Sequence, residues 1–253
     1  MSDRVVDMGG GFWNIRGTWR IKGLINAGTQ SSLVRLESGR FVLLDSYTLH
    51  GAIEREVLER TDGGAAIEAV LNLHPFHTLH VERVAARFPG ARHYGTARHH
   101  RLLPDLDWQP ERTETEAFAA LFADDFDFSV PAGVDFIARD ERLHFASVLA
   151  FHRRSRVLHV DDTLNYLPFP LGRRLDFHPT LPQVLERRPG AAAAFRGWAE
   201  GLIERCAEVD HVCTAHAGLA KRGSLGSVAD QIRAALKRAE ATLAKHEAKH
   251  GAG

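Results

Sequence analysis

Leu71-Asn72-Leu73-His74-Pro75-Phe76-His77 is the stretch on which the reading of this chain turns. Ala69-Val70-Leu71 is an apolar run that reads as a buried strand. Pro75 ends it, because proline has no N–H for a ladder and pushes the residue before it towards extended backbone. His74 and His77 therefore stand at the carboxyl end of a strand, where imidazoles can meet groups from other strand ends. The rest of the chain is read for groups that could join them.

Upstream, residues 12–16, 19–21, 32–36 and 41–45 read as consecutive strands after a flexible Gly9-Gly10-Gly11, with Glu37-Ser38-Gly39-Arg40 as a hairpin turn. The three glycines are not a phosphate loop, since no Lys-Ser/Thr follows them. Residues 51–60 turn helical, with Ile53, Val57 and Leu58 on one side. Beyond the opening stretch, Val81, Val84, Ala85 and Phe88 recur at helical spacing, and residues 91–95 read as a short strand. This β-α-β-α rhythm predicts helices on the outer face of a sheet. Further on, a helix is expected over 111–122 and an edge strand over 124–128, where Asp124, Asp125 and Asp127 lack the spacing and glycine of a calcium loop. Strands are expected at 134–138, 143–145, 147–152 and 157–160, the last running into Asp161-Asp162-Thr163. A proline-rich loop (166–182), a helix marked by Phe195, Trp198, Leu202 and Cys206, a strand ending at His216, and an amphipathic helix from Val228 to Leu243 complete the chain. The order β-rich, β-α, β-rich, β-α suggests two similar halves packed together, in one domain over residues 1–253.

Composition narrows the function. Lys plus Arg and Asp plus Glu number 32 each, which gives no electrostatic reason to expect a nucleic acid or an anionic membrane as partner. No run is apolar enough to span a bilayer, the N-terminus lacks a signal-peptide pattern, and two cysteines are too few for a disulfide framework; a cytoplasmic protein is expected. Fifteen histidines favour metal chemistry and also make chance pairs common.

The strand ends offer His74, His77, His144, Asp161 or Asp162, and His216. Imidazole and carboxylate ligands around an open position are what a catalytic zinc or iron site requires. Here the chain resembles the metallo-β-lactamase superfamily, over nearly its whole length. Leu43-Leu44-Asp45-Ser46 is similar to the family's early strand ending in aspartate, Leu143-His144-Phe145-Ala146-Ser147 to its third-motif histidine segment, Val160-Asp161-Asp162-Thr163-Leu164 to its Gly-Asp-Thr, and Ala215-His216-Ala217-Gly218 to the Gly-His that closes its site. The resemblance implies an α+β fold, a four-layer αββα sandwich, with His74, His77, His144, Asp162 and His216 as metal ligands and Asp162 bridging.

Aligned on Phe88-Pro89, residues 72–77 overlie the family's H-x-H-x-D-H, so Asn72 replaces a histidine and Phe76 an aspartate. Asparagine offers a poorer zinc ligand than imidazole, and phenylalanine offers none. The expectation is a divergent hydrolase that uses one zinc or iron ion, Asp162, and Asn72 as a hydrogen-bonding assistant, against a small ester, thioester or similar substrate. The alternative is a protein of the same fold that holds no metal and binds a small molecule or a protein partner. His80 and His159 are read as structural or exposed, and Asp161 stands as an alternative to Asp162. His246-Glu247-Ala248-Lys249-His250 matches H-E-x-x-H, but at the chain's end with no third ligand downstream, and is read as a chance match.

Overall fold

The computed structural model describes residues 3–21, 25–167, 172–216, 218–221, 223 and 226–251. The chain begins with β1 (Arg4–Gly9), β2 (Phe12–Gly17), β3 (Arg20–Ile21), β4 (Ile25–Asn26), β5 (Thr29–Arg35), β6 (Phe41–Leu44), α1 (Gly51–Arg60), β7 (Ile67–Leu71), α2 (Val81–Arg87) and β8 (Arg92–Tyr94). It continues with α3 (Ala97–Leu102), α4 (Glu116–Leu121), β9 (Phe126–Ser129), β10 (Leu149–His152), β11 (Val157–Val160), β12 (Leu164–Leu167) and β13 (Arg174–Phe177). Last come α5 (Leu181–Val184), α6 (Ala191–Arg205), β14 (His211–Thr214), β15 (Leu219–Ala220) and α7 (Val228–His250). Two sheets carry the fold: six strands in the order β1-β2-β5-β6-β7-β8, and five in the order β15-β14-β11-β10-β9.

Period-two alternation sorts the strand residues between layers. Val34, Val42, Leu44 and Leu71 of the first sheet meet Ala150, Val157 and Cys213 of the second, and Val148 just before β10, in the space between the sheets. Their neighbours Leu33, Leu43 and Val70 turn outward to Ile53 and Val57 of α1 and Val84 of α2. On the far side Leu158, Val160 and Val212 pack on Phe195 and Leu202 of α6 and Ile232 and Leu243 of α7. The result is helix, sheet, sheet, helix, the four-layer order expected from the sequence. In β7 the alternation breaks once: Phe41 pairs with Ile67 but Val42 with Ala69, so Glu68 is an extra residue. That slip is why Ile67 and Val70 both reach the outer layer while Ala69 and Leu71 reach the inner one.

Several local expectations are corrected. Gly9, Gly10 and Gly11 form the turn of the β1–β2 hairpin rather than a flexible leader, all three at positive φ. A Cβ on Gly10 would sit 2.6 Å from the Ser155 Cα, so the turn is pressed against the second sheet's loop. The helix expected over 111–122 begins only at Glu116, where the Thr115 hydroxyl accepts the Phe118 N–H. Residues 134–138 and 143–145 form no strand: their apolar side chains anchor an irregular loop to the core beside α6. The loop expected over 166–182 contains the β12–β13 hairpin and α5; its residues 168–171, like Ala217 and the final Ala252 and Gly253, lie outside the described residues.

β9 is an edge strand, as its alternation suggests. Asp125 accepts the Glu37 N–H and Asp127 pairs with Arg153, which accounts for that acid cluster. Cys206 and Cys213 are free and buried, their thiols pushed up to about 12 by burial. Among the described residues no helix is long and apolar enough to cross a membrane.

Candidate metal centre

Parallel pairing places the carboxyl ends of β6 and β7 side by side in one sheet, and those of β11 and β14 side by side in the other. Each of these four strands ends in polar residues, and the residues gather there.

The segment after β7 is held from three sides. Asp45, at the end of β6, accepts the Leu73 N–H with Oδ1 (2.8 Å). The Thr113 hydroxyl donates to the Asn72 carbonyl (3.0 Å). The Asn72 amide accepts the Ser46 hydroxyl (2.7 Å) and donates to the Tyr94 carbonyl (3.1 Å), so it ties three strand ends together. Asp45 adopts this role at φ 56°, a left-handed conformation uncommon for a residue with a Cβ. His77 N–H then closes a turn on the His74 carbonyl. His144 rides on the irregular loop before β10, which Thr163 pins by donating to Phe145 O and accepting Ser147 N–H, both at 3.0 Å. His216 follows β14, whose end is gripped by the buried Arg16 guanidinium through the Thr214 (2.6 Å) and Ala215 (3.2 Å) carbonyls.

Asp162 is the hub. Its Oδ2 lies 3.2 Å from His74 Nε2, 3.5 Å from His77 Nε2 and 3.6 Å from His144 Nδ1, and its Oδ1 lies 3.2 Å from His216 Nε2. All five residues named from the sequence as ligands therefore converge. Asp161, the alternative to Asp162, also points inward, but behind His77, with Oδ2 3.4 Å from its Nδ1.

The outer partners of the rings fix which nitrogen is bare. A carbonyl only accepts, so His144 Nε2 must donate to Glu141 O (3.0 Å) and His216 Nδ1 to Gly28 O (2.8 Å). Both leave an unprotonated nitrogen facing Asp162. His77 lies between two carboxylates, Nδ1 against Asp161 and Nε2 against Asp162, so an ion at Nε2 would leave its proton on Nδ1 with Asp161 as acceptor. This is the outer-partner pattern that prepares imidazoles as metal ligands. His74 differs: its Nδ1 accepts the Phe76 N–H (3.1 Å), which leaves the ring proton on Nε2.

Does this set fit a cation? Both Asp162 oxygens and Asp161 Oδ2 are buried and, among the described residues, without a hydrogen-bond partner. Buried acceptors facing bare imidazole nitrogens repel unless a cation stands between them. Without an ion a proton takes that place. Burial opposes charge on His77 and His216, yet Asp161 and Asp162 at His77, and Asp162 at His216, outweigh it and raise both above the ordinary histidine value. Asp162 is likewise held well below the usual carboxylate range, the imidazoles, His74 foremost, overcoming burial. His74 goes the other way, to about 4, through burial and the neighbouring His77, and stays neutral at neutral pH. Three imidazoles and a carboxylate are an oxygen and nitrogen donor set that suits zinc or iron. His74, His77 and Asp162 carry ligand atoms that all lie within 4.8 Å of one another. The residues fit a single ion.

A second group with the same spacing lies directly behind: Asp45, His159 and Asp161. Here donors fill the space. Gln30 Nε2 donates to Asp161 Oδ1 (3.1 Å), His159 Nε2 lies 3.0 Å from Asp45 Oδ2, and the Ser32 hydroxyl 3.0 Å from His159 Nδ1. Gln30 also accepts from Asn14 and Arg16. His159 is thus structural and fully buried, and His80, bonded to Thr48 at the start of α2, is structural too. Gln30 and Arg16 went unread in the sequence, although Asn14, Arg16, Gln30 and Ser32 share one face of two paired strands. Polar residues at inward register were the available signal.

Above the hub opens a recess of about 110 Å³, lined on its polar side by His77, His144 and His216 and walled by Trp19, Phe76 and Leu79. Trp19 and Leu79 are 39 % and 71 % exposed, an apolar rim at its mouth. A larger groove of about 890 Å³ runs along the end of α7 past Arg187, Lys245 and His246, and none of the converging residues lines it.

No family model and no curated protein matches this sequence. The structure is similar to TMB-1 (TM-score 0.64, 12 % identity, 95 % of this chain and 99 % of that one). It is similar also to the metallo-β-lactamase DIM-1 (0.62, 13 %, 95 % and 98 %). A third match is the metallo-β-lactamase FIM-1 from Pseudomonas aeruginosa in a mono-zinc form (0.56, 13 %, 94 % and 96 %).

Proposed function

We propose that this chain, which has the fold of the metallo-β-lactamase superfamily, is a hydrolase that works with one divalent metal ion, zinc or iron. The observation that supports it best is the convergence of ring nitrogens of His77, His144 and His216 on the buried Asp162 carboxylate, with the outer N–H of His144 and His216 taken by backbone carbonyls. These four residues would hold the ion. His74, stacked on His77 with ring centroids 4.0 Å apart, keeps that ring in place and faces Asp162 from below. An ion so held supplies a nucleophile from water near neutral pH and polarises a carbonyl.

The chain's own groups set the remaining terms. Asp161 would accept the His77 Nδ1–H when the ion takes Nε2. Asn72, expected as a catalytic assistant, serves by fixing the strand ends from which His74 and His77 project. Phe76 stands where a carboxylate would manage the proton of the attacking water, so the chemistry suits substrates with good leaving groups, esters and thioesters, over amides. The apolar rim of Trp19, Phe76 and Leu79 favours an apolar acyl group, and a recess of about 110 Å³ admits the reacting end of a substrate.

Metal content decides the matter. Protein purified without a histidine tag is expected to retain about one ion per chain, to gain thermal stability on adding zinc, iron or manganese after chelation, and to hydrolyse small activated thioesters only when loaded. Absence of bound metal together with no stabilisation by any of the three would overturn the hydrolase reading and leave a metal-free binding protein, which Asn72 and Phe76 would then explain.

A further inference from the structure

We propose that Glu141, Arg98 and Phe76 form a clamp that positions His144, an inference that rests on the metal reading above. The Phe76 ring lies nearly parallel to His144, at 14° with centroids 4.9 Å apart, and is 9 % exposed. The Arg98 guanidinium sits over the same phenyl ring, 4.5 Å from its centroid. A cation against a ring face in a water-poor setting is attractive.

Arg98 is itself fixed. Thr96 and His99 close a reciprocal cap at the start of α3, which sets the direction of the next side chain. Arg98 is 6 % exposed, donates to the Pro75 carbonyl at 3.0 Å and pairs with Glu141 at 2.9 Å. Glu141 returns to the site through its backbone, whose carbonyl takes the His144 Nε2–H at 3.0 Å. The contacts close a circuit: Glu141 to Arg98, Arg98 to Phe76, Phe76 to His144, His144 to Glu141. One arc orients the plane of the imidazole and the other fixes its tautomer. His144 sits on an irregular loop with no sheet to hold it, so an orienting device is needed there. Glu141, Arg98 and Phe76 act through His144 as positioning residues.

The test counts and weighs metal. Chelator-stripped wild type and the variants Arg98→Met, Arg98→Lys and Phe76→Leu are titrated with cobalt(II) or zinc against a chromophoric chelator, with circular dichroism confirming the fold. Wild type is expected to take one ion. Arg98→Met and Phe76→Leu should take one ion about 10- to 100-fold more weakly, as loss of an outer partner does. Arg98→Lys, which keeps the charge but not the fork, should fall between. Wild-type affinity in both Arg98→Met and Phe76→Leu overturns the clamp. If wild type takes no ion, the metal reading fails while the clamp is still decided by the ¹⁵N shifts of His144: an Nε2–H tautomer lost in Arg98→Met supports it, and one unchanged overturns it.

Discussion

Two neighbouring clusters of the molecule are built from the same residue types and have opposite characters. His74, His77, His144, His216 and Asp162 form one; Asp45, His159 and Asp161 form the other, one layer deeper, and the second cluster and the His74, His77, Asp162 part of the first have the spacing of metal ligands. In the deeper cluster Gln30, Ser32 and the Leu73 N–H supply the protons, and the carboxylates are nearly satisfied. In the outer cluster the backbone takes a ring proton of His144 and of His216 away from the centre, through Glu141 O and Gly28 O, and turns their other nitrogens to Asp162. Residue type and spacing do not separate a metal site from a structural network; the direction of the hydrogen bonds does. Asp161 belongs to both, with Oδ1 bonded in the deep cluster and Oδ2 turned to His77.

Mutations should break the two clusters differently. Asp162→Asn is expected to abolish stoichiometric metal binding, measured by metal analysis after dialysis, while moving the unfolding midpoint in chelator far less than Asp45→Ala does. Asp45→Ala is expected to do the reverse. It leaves His159 buried without its charged partner and the Leu73 N–H without an acceptor, a loss of about 3–5 kcal/mol for a broken buried pair. Urea denaturation at unchanged slope would read it. Equal destabilisation by both variants would show that the two clusters form one network.

A third buried imidazole, outside both clusters, gives the pH control. His152 packs on Phe12 and Phe126, its Nδ1 within 2.6 Å of the Ser155 hydroxyl, and burial followed by the nearby Arg154 lowers it from 6.5 to about 4. Because the folded value is depressed, the unfolded chain binds the proton first as pH falls. The wild type should then lose stability relative to His152→Gln below pH 6.5, by about 1.4 kcal/mol per pH unit, until about pH 4. A difference independent of pH would mean that His152 is already protonated in the fold. Asp161→Asn sharpens the boundary between the clusters on a smaller scale. Loss of the acceptor for His77 Nδ1–H should weaken metal binding about 10- to 100-fold, as outer partners do, without abolishing it.

Much of this was legible in the sequence, and the reasons it was not always so are physical. Val157–Val160 and Ile67–Leu71 are apolar runs that stop abruptly at polar residues, and the strand ends Asp162, His74 and His77 follow from that. The degenerate positions Asn72 and Phe76 were visible too, though not what they do. Residues 134–138 and 143–145 alternate like strands, yet the alternation places Val134 and Phe145 in the core as anchors of a loop, whose pairing among the described residues stops at a single bridge between Val134 and Leu185. Asp161 and Asp162 could not be separated by parity because both lie past the end of β11, where the pleat no longer sends neighbours to opposite sides. Arg98 had no pattern at all. It lies in the stretch with the weakest periodicity, and its partners, Pro75, Phe76 and Glu141, come from two distant loops.

The smallest expected effect concerns a third candidate, His246 and His250, whose rings lie 4.6 Å apart on the last turns of α7. By ring spacing alone this pair rivals the others. Its chemistry fails at the glutamate: Glu247, the base of an H-E-x-x-H motif, is paired with Arg196 at 2.5 Å on the side where α7 meets α6. Among the described residues no third imidazole or carboxylate joins the pair in a ligand group. The groove beside them carries Arg187, Lys245 and Lys249, which repel a cation. His246→Ala with His250→Ala should therefore leave metal stoichiometry, affinity and hydrolysis at wild-type values in the same titration that registers Asp162→Asn. A drop in stoichiometry by one ion would move the metal site to the helix and return the strand-end imidazoles to a structural role, so the variant with the least expected effect places the strictest limit on where the chemistry is.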